Sequence, residues 1–196
     1  CCKAGIPFRG LVHDLSKYSP TEFFESVKYF DGNRSPISNS KKENGYSKAW
    51  LHHKGRNKHH HEYWYDYAAP TNSPVIPYKY TVEMICDTLS AGMTYQKDKW
   101  TKDYQLNYYL KDRARKHINP KIDAVLIEVY TEVSQKGIDT VINAKTLKTS
   151  KSINCISNYF KRCVFFFGKE RGAYSYTQKY ERPSKRRTSR IWSESE

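Results

Sequence analysis

Five of the chain's seven histidines fall between Trp50 and Trp64, as a pair, His52 and His53, and a triplet, His59, His60 and His61. Neutral imidazole is the commonest side-chain metal ligand, so two such groups seven positions apart can present several ring nitrogens to one or two ions. The same stretch also suits a wet, basic surface loop, because Lys54, Arg56 and Lys58 lie between the histidines. Those cations are either a solvated charge run or, beside a metal, a means of attracting phosphate.

Upstream stands His13-Asp14-Leu15-Ser16-Lys17. The segment reads as a helix, with His13 and Lys17 one turn apart and Asp14 the next residue round. Its neighbours Leu11, Val12 and Leu15 predict that this helix is substantially buried. A buried His-Asp pair needs charge compensation, which a divalent cation would supply; the alternatives are a histidine capped by the adjacent carboxylate, or an exposed helix. A third candidate is Asp87. The helix expected from about residue 81 to 95 puts it on a stripe with Met84, Thr88, Ala91 and Tyr95, so its carboxylate must be paired, hydrogen-bonded or ligating. Glu83, one turn earlier, reads as a favourable first-turn charge, and His117 as structural.

The elements that must position these groups are mostly helices. Ser19-Pro20-Thr21-Glu22 is a capping box, with Phe23, Val27 and Phe30 following at helical spacing. Residues 31–47 have loop composition and read as a lid or a tolerated insertion. Gly55 and Asn57 should separate the two histidine groups, with His52 and His53 closing one helix and His59 to His61 in the first turns of the next, Asn57 as its N-cap. Pro70, Pro74 and Pro77 mark a connector. A tyrosine-rich helix follows from Tyr104, and Asn119-Pro120 opens an amphipathic helix carrying Ile122, Val125, Leu126, Val129, Tyr130 and Val133, with Gly137 as its stop.

The length of 196 residues fits a helical domain over 1–147 and a tail over 148–196. The tail carries twelve Lys and Arg against four Glu and no Asp. Residues 153–167 suggest one more helix, and the stretch from Arg182 onward reads as disordered. It is either a nonspecific nucleic-acid binder or a solubilising terminus. A net charge of +14 favours anionic partners such as phosphorylated small molecules, nucleic acid or an acidic surface. Five cysteines without a Cys-x-x-Cys spacing support neither a disulfide framework nor a zinc ribbon, and no apolar run is long enough to span a membrane. The expected compartment is the cytoplasm.

His13-Asp14-x-x-Lys17, a second histidine group and then Asp87 resemble the ligand order of the HD superfamily of metal-dependent phosphohydrolases. More narrowly, residues 10–23, 50–64 and 83–87 resemble a bacterial family defined by domain of unknown function 5662, over roughly residues 3–142. The resemblance implies an all-α, HD-like helical bundle. It implies that His13, Asp14, one or both of His52 and His53, one of His59 and His60, and Asp87 hold one or two divalent ions, with Mn, Fe, Co or Zn favoured by the mixed ligands. Lys17 and Arg56 would hold phosphate oxygens of a nucleotide or other phosphoester. Two departures stand out: the superfamily's first histidine lies on an earlier helix that this chain, opening at Cys1, is read as lacking, and His61 replaces an expected aromatic residue. The rival readings are a basic nucleic-acid-binding module and an HD-like protein without turnover.

Overall fold

The computed structural model describes residues 1–32 and 35–149 together with Ile156 and Asn158. Among these residues every regular element is a helix and no strand occurs, so the chain is all-α as expected. The stretch expected to be disordered, and most of the helix suggested by residues 153–167, lie outside the described residues. Among the described residues no helix is long and apolar enough to cross a membrane.

The elements run α1 (Pro7–Val12), α2 (Pro20–Tyr29), α3 (Pro36–Asn44), α4 (Lys48–Arg56), α5 (Tyr78–Gln96), α6 (Tyr104–Asp112), α7 (Pro120–Lys136), α8 (Ile138–Val141) and α9 (Ala144–Thr149), with short 3-10 turns between them. Helix starts follow local chemistry. The Ser47 hydroxyl accepts the Trp50 amide at 3.0 Å to open α4, and the Asn119 side chain accepts the Lys121 amide at 3.0 Å to open α7. Helix α7 ends at Gly137, whose φ of +83° suits a residue without a Cβ.

Burial is very uneven. The core is built from α5 and α7, where Val82, Ile85 and Leu89 meet Ile122, Val125, Leu126, Val129 and Val133, closed by Tyr109, Tyr130, Ile142 and Leu147. Helices α1 to α4 contribute little to it. Helix α1 buries no residue, α2 buries only Glu22, α3 only Ser40, and α4 only Ala49 and His53. What joins α2, α3 and α4 is polar: one Glu25 carboxylate oxygen accepts from the Ser40 hydroxyl at 2.8 Å and from the Ser47 hydroxyl at 2.5 Å.

The segment from Leu11 to Lys17 is not one buried helix: α1 stops at Val12, His13 and Asp14 form a turn, Leu15–Tyr18 is a 3-10 turn, and Leu11 and Leu15 are exposed. Residues 31–47 are not a plain loop, because Ser35-Pro36 starts α3 and Gly45, at φ +78°, ends it. Asn57 does not cap a following helix. It is the C-cap of α4, and a turn then delivers His59 and His60 ahead of a 3-10 turn at His61–Trp64.

Candidate metal centre

Three separate stretches of chain converge on one small volume. The turn after α1 supplies His13 and Asp14, α4 with the turn after it supplies His53, His59 and His60, and α5 supplies Asp87. Asp14, His53, His59 and His60 each offer a ligand atom such that all lie within 4.8 Å of one another, and His13, Asp14 and Asp87 form a second such group. Asp14 belongs to both. Its Oδ1 lies 3.4 Å from the Nε2 of His53 and 3.4 Å from that of His59, while its Oδ2 lies 3.3 Å from the Nε2 of His13. Asp87 stands 3.6 Å from His13 Nε2 and 4.0 Å from His59 Nε2.

The rings are aimed by a layer of carboxylates behind them. Glu22, 2% exposed, accepts from His52 Nδ1 at 2.6 Å and from His53 Nδ1 at 2.7 Å. Glu83, 3% exposed, lies 3.4 Å from His59 Nδ1 and accepts from Arg9 Nε at 2.7 Å. His13 Nδ1 donates to the Gly10 carbonyl at 2.8 Å. Asn57 donates to Ser16 Oγ at 2.6 Å and to the His53 carbonyl at 3.0 Å, locking the end of α4 against the 3-10 turn.

These outer bonds fix the tautomers. An imidazole that donates through Nδ1 has a lone pair on Nε2. In His13 and His53 that lone pair faces the Asp14 carboxylate, which also can only accept. Two acceptors at this distance repel unless a proton or a cation lies between them. Asp14 Oδ1, His59 Nε2 and His60 Nε2 are moreover buried without a hydrogen-bond partner, which a folded protein seldom tolerates without a reason.

The charges agree with this reading. Among the described residues, Asp14, Asp87, Glu22 and Glu83 face only Lys17 and Arg9 as permanent cations, an excess matching one divalent ion when the imidazoles are neutral. The Asp87 carboxylate beside its ring, with help from Asp14, raises the pKa of His13 above its ordinary value, against the cost of desolvation. Burial, reinforced by repulsion from His59 and His53, pushes His60 down to about 3, so its ring is a neutral donor at physiological pH. Burial works against the charged form of Asp87, but His13 and the neighbouring imidazoles more than offset it and hold the carboxyl below its usual value. Glu83 is likewise kept low by His59 and Arg9 despite its desolvation.

The structure therefore brings together His13, Asp14, His53, His59, His60 and Asp87. It turns His52 away toward Glu22. Lys17 reaches Asp14 Oδ2 at 2.5 Å, while Arg56 sits at the exposed end of α4. Asp87 does not share a core stripe with Tyr95, which is exposed; it faces the histidines while Val82, Ile85 and Leu89 face the core. Sequence reasoning missed the outer layer. Glu22 was legible only as the third helical residue of a capping box, and Glu83 only as a first-turn charge. A buried carboxylate one turn before Asp87 was the available signal for Glu83.

No curated protein and no solved structure matches the chain. A family model described as a family of unknown function, DUF5662, matches residues 1–132, which include every residue of this centre and of the carboxylate layer behind it. The chain belongs to the DUF5662 family.

Proposed function

We propose that the protein is a metal-dependent phosphohydrolase whose centre holds one or two divalent ions on His13, Asp14, His53, His59, His60 and Asp87. The observation that carries the reading is the set of acceptor atoms aimed at one another, with Asp14 Oδ1, His59 Nε2 and His60 Nε2 buried and unpartnered. A mixed set of imidazoles and carboxylates suits Mn, Fe, Co or Zn. A bound ion of this kind would supply Lewis acidity, lowering the pKa of a water and polarising a phosphoryl oxygen.

The chain's own residues do the rest. Glu22 and Glu83 keep the Nδ1 protons of His53 and His59 in place, so each Nε2 remains a donor of its lone pair. Lys17 stands at the open side of the centre, its side chain 60% exposed, and its ammonium is held charged by Asp14 in spite of partial desolvation. It would take up a phosphate oxygen of a phosphorylated small molecule, such as a nucleotide, and stabilise charge that grows there in the transition state. Arg56 would add attraction at longer range from the end of α4.

Elemental analysis of purified protein, before and after reconstitution, tests the metal. Near-stoichiometric Mn, Fe, Co or Zn, lost in Asp14→Asn and His53→Gln, is the expected result, followed by turnover in a phosphoester screen that Lys17→Ala depresses. Wild-type protein that takes up no metal would sink the reading. The net charge of +14 favours a second one, a nucleic-acid-binding module, whose affinity would fall steeply with salt and ignore chelators.

A further inference from the structure

The N-terminal helices leave an unusual amount of apolar surface in solvent. Phe8, Leu11, Leu15 and Tyr18 follow one another along α1 and the 3-10 turn, and Phe23, Phe24 and Val27 lie along α2, which packs on that turn, with Phe30 at its C-cap. All eight are between 49% and 80% exposed. At about 200 Å² per ring, the five aromatic residues alone leave on the order of 700 Å² uncovered. The largest apolar patch of a typical monomer covers roughly 300–600 Å². A standard interface buries about 800 Å² on each partner, a value this face reaches once Leu11, Leu15 and Val27 are added.

Charge says what covers it. The chain carries a net +14, yet residues 8–30 hold three basic and three acidic side chains. Each of these is already engaged. Arg9 pairs with Glu83, Lys17 with Asp14, and Lys28 lies over the Tyr29 ring, while Glu22 is held by two histidines and Glu25 by Ser40 and Ser47. With three side chains of each sign the face is neutral overall, so it offers an acidic partner no net attraction. For two copies of a strongly basic chain, it is where they can meet without bringing like charges together.

We infer that the protein is a homodimer, with the apolar face of residues 8–30 packed against the same face of a second copy about a two-fold axis. The inference is independent of the metal reading. Because the interface is apolar and the repulsion between copies is long-range, added salt strengthens or spares the association, the reverse of a charge-driven complex.

Sedimentation velocity on the full chain, over a roughly hundredfold range around micromolar concentration, tests this. A reversible dimer is expected, weakened at least tenfold by Leu11→Asp and by Phe24→Asp, and not weakened by salt. Both positions are exposed, so circular dichroism should show unchanged helix content. If one variant loses helix, Phe8→Ser gives the same reading at a position that is 73% exposed. Wild type that stays monomeric throughout, including where another molecule or segment covers the face, overturns the inference. So does a dimer that persists undiminished in the folded variants.

Discussion

Glu22 bridges two adjacent histidines, one carboxylate oxygen accepting from His52 Nδ1 at 2.6 Å and the other from His53 Nδ1 at 2.7 Å. Only His53 then extends to Asp14. In Glu22→Gln an amide nitrogen would face one imidazole N–H, donor against donor. Outer partners of this kind typically contribute about 10–100-fold to metal affinity, so chelator competition should show a loss of that order with helix content retained. Unchanged affinity would mean that Glu22 serves α2 alone.

Five of the six candidate ligands lie on α4 or on the turns after α1 and α4, and helices α1 to α4 have almost no apolar interior of their own. Removing metal from the reconstituted protein should therefore raise amide exchange across residues 13–64 while α7 stays protected, because an ion bound there would substitute for packing. Exchange mass spectrometry with and without chelator reads this directly. A uniform change over the whole chain would contradict it.

Acid should destabilise the metal-free protein earlier than its carboxylates require. His60 has a folded pKa pushed down to about 3 by burial, below the ordinary 6.5, so the stability linked to its neutral form is present above pH 6.5 and lost as pH falls toward 3. Burial lowers His61 in the same sense. His13 acts oppositely: its raised pKa contributes stability below 6.5 that is lost as pH rises through the folded value. The lowered carboxyls of Asp87 and Glu83 add acid sensitivity only below their ordinary values of 3.8 and 4.5. Denaturant midpoints should decline from about pH 6 downward, and His60→Asn should flatten that decline. An identical slope in the variant would refute the assignment.

Far from the centre, Leu126→Ala should cost about 2–5 kcal/mol by opening a cavity beneath α5, as large-to-small core changes do. Tyr130→Phe should cost only about 1 kcal/mol, because Thr88 Oγ1, 2.7 Å from the Tyr130 hydroxyl, keeps the Met84 carbonyl as a second partner. Chemical denaturation checks both.

Helix α7 was legible in full because Asn119-Pro120, six core residues at helical spacing and Gly137 all point the same way. The histidine groups and Asp87 were legible by residue type. What periodicity could not supply was direction. Helix α3 was hidden because Ser, Asn and Lys dominate it and only Ser40 is buried. Leu11 and Leu15 misled because an apolar side chain reports a buried face only when the fold provides something to bury it against. The choice of His53 over His52 depended on Glu22, thirty-one positions away, and no local spacing encodes that contact.

Helix α5 belongs to both halves of the molecule, with Glu83 and Asp87 on the centre and Val82, Ile85 and Leu89 in the core. It behaves as a lever. With carboxylates about 5–6 Å from the helix axis, a rotation of roughly 10° about that axis carries them nearly 1 Å, more than the spread of bond lengths that separates one divalent ion from another. If the centre holds an ion as proposed, repacking beneath α5 would tune which one it prefers, by substitutions that touch none of the candidate ligands.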